Sequence, residues 1–163
     1  MKIIHLEEKD WRWVKMIYEE GIATGNATFE TDAPSWEKWN ASHLHYGRLV
    51  AVENDEVVGW AALSKVSDRC VYAGVAEVSV YVSERARRKG IGSTLLNALI
   101  EESEKNETWT LTAGIFPENE SSIHLHQKAG FRLIGRREKI GKMNGIWRDT
   151  LQFERRSRVI GID

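Results

Sequence analysis

The sequence predicts a mixed α/β fold, with one central sheet and helices packed on its faces. Three observations carry this expectation. A chain of 163 residues, 42% hydrophobic and 29% charged, has the length and balance of one globular domain with its own core. Strand-like segments outnumber helical ones, in the order β-α-α-β-β-β-α-β-α-β-β, without the regular alternation of a doubly wound parallel sheet. Two pairs of strand-like segments are joined by turn-forming runs, Asn54-Asp55-Glu56 and Lys142-Met143-Asn144-Gly145, which signal antiparallel hairpins.

Each element has a local reason. Lys2–Leu6 reads as a short strand. Asp10 is placed to cap a helix reaching about Gly25, with Trp13, Met16, Ile17 and Glu20 at near-helical spacing. Gly25 to Thr31 is a polar loop around one large aromatic, Phe29. Ser35, directly after Pro34, starts a second helix that runs to about Tyr46. Arg48–Glu53 and Val57–Ser64 form the first hairpin, and Ala76–Val82 is a β-branched strand. Gly92 to about Asn106 is a helix with Leu95, Leu96, Leu99 and Ile100 along one side. Thr108–Ile115 is a strand, Asn119–Ala129 a helix closed by Gly130, and Phe131–Glu138 with Ile146–Glu154 the last hairpin.

Charge and composition narrow the function. Lys+Arg 23 against Asp+Glu 24 gives a formal net charge of -1, so the whole chain has no general attraction for nucleic acid or an acidic membrane. One cysteine, Cys70, excludes an intrachain disulfide and any multi-cysteine metal site, and points to a reducing, cytoplasmic setting. Cys70 has no paired histidine or acid nearby in sequence and reads as inert. The N-terminus turns acidic too quickly for a signal peptide, and no run approaches a membrane span.

Against that neutral background, residues 85–92 stand out. Arg85, Arg87, Arg88 and Lys89 lie directly against Gly90-Ile91-Gly92, between a strand and a helix, with Ser93 and Thr94 in the first helical turn. The first N–H groups of a helix lack partners within it, and its dipole places partial positive charge there. Glycines let those amides approach an anion closely. A phosphate or diphosphate suits such a turn, and a plain solvated turn is the alternative. A Walker A loop needs Lys-Ser/Thr after its last glycine, and here Lys89 precedes the glycines. A dinucleotide fingerprint needs a third small residue where Leu95 stands, and an acid near the following strand, where Thr110-Leu111-Thr112 stands.

Arg87-Arg88-Lys89-Gly90-Ile91-Gly92 resembles the R/Q-x-x-G-x-G/A signature of the GNAT N-acetyltransferases. Asn119 through Phe131, an Asn-initiated helix ending in Gly-Phe, is similar to the second signature of that family. Together with Ala76–Val82 and Asn144-Gly145-Ile146-Trp147-Arg148-Asp149, these stretches look closest to the phosphinothricin and methionine-sulfoximine acetyltransferase branch. The resemblance implies a mixed, mostly antiparallel sheet of about seven strands with helices on both faces and a V-shaped splay between the fourth and fifth strands. It implies acetyl-CoA as cofactor, a small amino-acid-like amine as acceptor and, from the branch, a homodimer. Another amine, such as a protein N-terminus or an antibiotic, remains an alternative, as does an acyl-CoA sensor without catalysis.

Site residues follow from the same resemblance. The pantetheine arm would lie along Val80, Tyr81 and Val82, with the Val80 N–H polarising the thioester carbonyl. The diphosphate would sit on Arg88, Lys89, Gly90, Ile91, Gly92 and Ser93, with Arg87 and Thr94 nearby, and Asn119 and Lys128 would meet the far half of the cofactor. Glu77 takes the place of the branch's catalytic carboxylate, although a strand-end charge in water is its plain reading. His126 stands where many relatives carry a tyrosine, seven residues after Asn119, and a packed helix histidine is the alternative. His124 is expected at the surface. Arg69 and Tyr72, with Phe29 and Thr31, would hold the acceptor, and Phe29 equally reads as a core plug. Trp11, Trp13, Trp36 and Trp39 read as core or subunit-contact residues.

Overall fold

In the computed structural model, which describes residues 1–163, two-residue turns set the hairpins. The strands are β1 (Lys2–His5), β2 (Leu49–Glu53), β3 (Glu56–Lys65), β4 (Val75–Val82), β5 (Thr110–Ile115), β6 (Arg132–Met143) and β7 (Ile146–Arg156). The helices are α1 (Trp11–Ala23), α2 (Trp36–Ser42), α3 (Ile91–Lys105) and α4 (Glu120–Lys128). Asn54 and Asp55 between β2 and β3 have φ of 52° and 62°, and Asn144 and Gly145 between β6 and β7 have φ of 50° and 77°. Positive φ at both central residues matches the right-handed twist of the strands they join.

All seven strands form one sheet in the order β1-β2-β3-β4-β5-β7-β6. Every neighbouring pair is antiparallel except β4 and β5. That parallel pair holds together only from Val75 to Glu77 against Thr110 to Thr112. Beyond this point β4 continues to Val82 and β5 to Ile115 without pairing to each other. The splay expected between the fourth and fifth strands is therefore present.

Alternation along the central strands builds two cores. Ala61 and Leu63 of β3 join Leu95, Leu96 and Leu99 of α3 on one face. Trp60 and Ala62 join Val14 and Ile17 of α1 and Trp39 of α2 on the other. Helices thus cover both faces, and burial of these side chains at roughly 25 cal/mol per Å² drives their docking. The second core is unusually aromatic. Trp11, Trp36 and Trp39 have mutual centroid distances of 5.7–5.9 Å, and Trp60 stacks on Tyr81 at 4.8 Å. No helix is long and apolar enough to cross a membrane.

Several boundaries differ from the sequence reading. The buried stripe of α1 is Val14, Ile17 and Gly21, while Met16 is exposed. Asp10 does not cap α1 with its side chain; its carboxylate accepts from the Glu7 N–H at 2.9 Å and stabilises the 3-10 turn that leads into the helix. α2 stops at Ser42 rather than Tyr46. The buried Arg48 guanidinium takes the carbonyls of Asn40, His43 and Leu44, so that stretch of chain wraps a cation instead of continuing as helix.

Candidate active site

The splay opens a cleft of about 1060 Å³, walled by β4, β5, the turn before α3, α4 and the loop after α1. Its geometry begins with the direction of the β4 backbone. Ser83 N–H donates to Val58 of β3. Amides alternate along a strand, so Tyr81 and Ser79 also face β3, while Val80 and Val82 face the unpaired side. The Arg87 side chain reaching the Val82 carbonyl at 3.4 Å fits that direction. An open strand edge with free donors and acceptors accepts an extended ligand as an added strand.

At the end of that edge the chain turns into α3. Gly90 is the N-cap residue, with φ 79° and ψ 7°, and Arg88 also lies at positive φ, 65°. None of the six backbone N–H groups from Arg88 to Ser93 donates to any other part of the protein. Thr94 N–H is the first to be satisfied, by the Gly90 carbonyl at 3.1 Å. Six consecutive free donors at a helix N-terminus form an anion seat. Arg87, Arg88, Gly90, Ile91, Gly92 and Ser93 line the cleft. Lys89 and Thr94 do not: Lys89 points to Glu53 at 4.0 Å, and Thr94 Oγ1 donates to the Gly90 carbonyl.

Two titratable groups enter from opposite sides. Glu77 projects from β4 on the face that α1 covers. By area it is exposed, yet what it faces is the cleft, whose walls displace much of its hydration. Burial pushes its carboxyl pKa up, and the Arg137 cation partly offsets this. His126 comes from α4, is 5% exposed and packs edge-on against Phe131. Its Nδ1 lies 2.7 Å from the Ser122 carbonyl, which can only accept, so Nδ1 carries the proton and Nε2 keeps its lone pair. Burial lowers its pKa, which keeps the ring neutral. His126 is thus arranged as an acceptor or base, and poorly as a proton donor from Nε2.

The remaining expected residues separate. Phe29 lines the cleft and also plugs it, edge-on to Phe116 at 4.8 Å and seated over Gly141. Lys128 lines the cleft, and exposed His124 does so at its rim. Asn119 lines it too, but its amide is engaged: Oδ1 accepts the Ser122 N–H at 3.2 Å and Nδ2 donates to the Asn26 carbonyl at 3.1 Å. Its evident work is to cap α4 and hold the loop. Thr31, Arg69 and Tyr72 lie outside the cleft of this chain. Thr31 is exposed beside Asp32, and Arg69 covers the exposed Tyr72 ring at 5.4 Å.

Sequence reasoning named Glu77 but missed the rest of the cleft floor. Glu77, Gly114 of β5 and Gln152 and Thr150 of β7 share one face, and Arg137 of β6 pairs with Thr150. It also missed Arg148, whose guanidinium donates to the Gly25 carbonyl, Asn26 Oδ1 and Glu118 while lying 4.0 Å over Phe116. Arg148 fastens the loop after α1 as the cleft's roof.

An open sheet splayed at a parallel pair, with a bare strand edge leading to an anion seat, is built to take an extended ligand that carries an anionic group such as a phosphate or diphosphate. Residues 5–131 match the acetyltransferase (GNAT) family, and the chain belongs to that family of N-acetyltransferases. It is 31% identical to phosphinothricin N-acetyltransferase of Streptomyces coelicolor over 91% of each chain. It is 30% identical to an L-methionine sulfoximine/L-methionine sulfone acetyltransferase of Pseudomonas aeruginosa, over 82% of this chain and 81% of that one. Among solved structures, a phosphinothricin acetyltransferase of Sinorhizobium meliloti in complex with acetyl-CoA superposes with TM-score 0.85 at 31% identity, covering 95% and 87%. A ribosomal-protein-alanine N-acetyltransferase of Brucella melitensis superposes with TM-score 0.88 at 30% identity, covering 96% and 100%.

The cofactor is acetyl-CoA, and the residues present fit it. The six free amides suit the diphosphate, the bare β4 edge suits the amide-bearing pantetheine arm, and the cleft has room for both.

Proposed function

We propose that this enzyme transfers an acetyl group from acetyl-CoA to the amino group of a small amino-acid-like acceptor of the phosphinothricin, methionine sulfoximine or methionine sulfone type. The observation that carries the reading is the placement of Glu77 on the floor beside Gly114, at the foot of the splay where the β4 edge begins. Bound acetyl-CoA supplies an activated acetyl thioester. The amides of Arg88 to Ser93 would hold its diphosphate and the Val82 backbone its arm. The Val80 N–H, facing the slot, would donate to the acyl oxygen. Glu77 takes the proton from the ammonium group of the acceptor, directly or through a water, since only the neutral amine attacks. The C–N bond would form as the thioester C–S bond breaks, and the second proton shed by the nitrogen would pass to the departing thiolate. His126 Nε2, with its lone pair free, is a second acceptor available in the cleft. The amine panel that tests this contains phosphinothricin, methionine sulfoximine, methionine sulfone and an alanine-terminated peptide, with thiol release as readout. Turnover on the peptide alone would overturn the acceptor class and leave the family untouched. That second reading rests on the likeness to the Brucella protein.

Arg148 gives this reading a kinetic signature. Arg148→Ala removes three hydrogen bonds and a cation–π contact that fix the roof. The KM for the acceptor is expected to rise about tenfold, with the KM for acetyl-CoA unchanged; varying each substrate in turn checks the split.

The enzyme works as a homodimer in this reading, in the cytosol, where an exposed free thiol such as Cys70 stays reduced. Ile134, Ile146 and Trp147 expose large apolar side chains on the β6–β7 hairpin, an unusual surface for a monomer. Trp147→Glu is expected to yield a monomer in light scattering.

A further inference from the structure

Arg137 is a cation in the cleft without an ion-pair or hydrogen-bond partner in the protein. The other arginines lining the cleft, Arg87 and Arg88, belong to the anion seat, and Lys128 ends α4. Arg137 lies instead on the floor, cross-strand from Thr150 and adjoining Gln152. Between these residues and Glu77 stands Gly114, where an added Cβ would meet nothing closer than Gln152 Oε1 at 3.9 Å. A carboxylate and a guanidinium thus flank open floor from the two sides.

A register shift in β6 between Leu133, opposite Phe153, and Gly135, opposite Gln152, adds one residue and turns Arg137 to the face of Thr150. β6 slips again between Arg137, opposite Thr150, and Gly141, opposite Arg148. Asp149 pins the slip, accepting from Arg136 Nε and from the Lys139 N–H, both at 2.7 Å. Strict alternation would put Arg137 and Ile140 on opposite faces; the second slip brings Ile140 to the cleft beside Arg137.

We propose that Arg137 binds the α-carboxylate of the acceptor, making this enzyme selective for free α-amino acids whose ammonium group is received by Glu77. The proposal rests on the reading above and narrows it. An α-amino acid is a zwitterion, and an arginine fork matches a carboxylate in geometry as well as charge. Exposed Phe29 and Ile140, also at the cleft, supply apolar surface for the side chain of the acceptor. The Arg137 cation also reduces the upward shift that burial gives the Glu77 carboxyl.

The test compares methionine sulfone with its α-carboxamide in the wild type, Arg137→Gln and Arg137→Lys. Wild type should favour the free acid by about 10- to 150-fold in kcat/KM. Arg137→Gln should bring that ratio close to unity, and Arg137→Lys should restore part of it. The altered amine basicity of the carboxamide is common to all three enzymes and cancels between them. An unchanged KM for acetyl-CoA shows that the variants fold. Should wild type use the free acid while Arg137→Gln discriminates as strongly as before, the anchor alone is overturned. Should wild type acetylate no free amino acid at all, the acceptor class falls and the anchor with it.

Discussion

Gly92→Asp is expected to raise the KM for acetyl-CoA by on the order of 100-fold without lowering Tm. The two halves of this expectation have separate causes. A Cβ at position 92 would lie 3.4 Å from Leu125 and 3.6 Å from Val82, which is ordinary contact, so the fold accommodates the side chain. Gly92 occupies the first turn of α3, where a carboxylate suits the dipole and almost any residue is a better helix former than glycine. The same carboxylate meets a diphosphate on the amides of Arg88 to Ser93. Unit charges about 5 Å apart at an effective dielectric of about 20 repel by roughly 3 kcal/mol. Gly92→Asn, equal in shape and uncharged, should raise KM far less. Equal losses in the two variants would mean that bulk, not charge, governs this turn, and the diphosphate would have to bind elsewhere.

That turn was legible in the sequence because its chemistry is local. Cations, glycines and hydroxyls within the ten residues from Arg85 to Thr94 all serve one helix terminus, and neighbours in sequence stay neighbours in space. The floor has the opposite character. Glu77, Gly114, Gln152 and Arg137 come from four strands, and only the sheet order brings them together. Strict period-two reading would also misplace Arg137, because the register shift before it, between Leu133 and Gly135, adds one residue to β6 and flips the alternation that sequence analysis depends on. Asn119 shows a further limit. An asparagine opening a helix is a recognisable signal, but whether its amide meets a ligand or the Asn26 carbonyl depends on a loop far away in the chain. Arg69 and Tyr72 resemble a substrate-binding pair in spacing, yet the turn before β4 carries them outside the cleft of this chain.

Glu77→Gln carries the second large effect. The substitution keeps the shape and removes the base, so kcat should fall by at least about 100-fold near neutral pH while the KM for acetyl-CoA stays the same. The pH profile supplies the sharper test. A base must be unprotonated, so activity is lost as pH falls through the Glu77 pKa. Burial places that pKa above the ordinary carboxylate range, and Arg137 holds it partly down. The acidic limb of kcat/KM should therefore lie higher than for a carboxylate in water, and higher still in Arg137→Gln. In Glu77→Gln the limb should vanish. The residual rate should then climb with pH as free amine accumulates, narrowing the gap to the wild type under alkaline conditions. Retention of both the wild-type rate and the acidic limb would show that the proton leaves by another route. His126 Nε2, neutral and unprotonated in the same cleft, would then be the base to remove next.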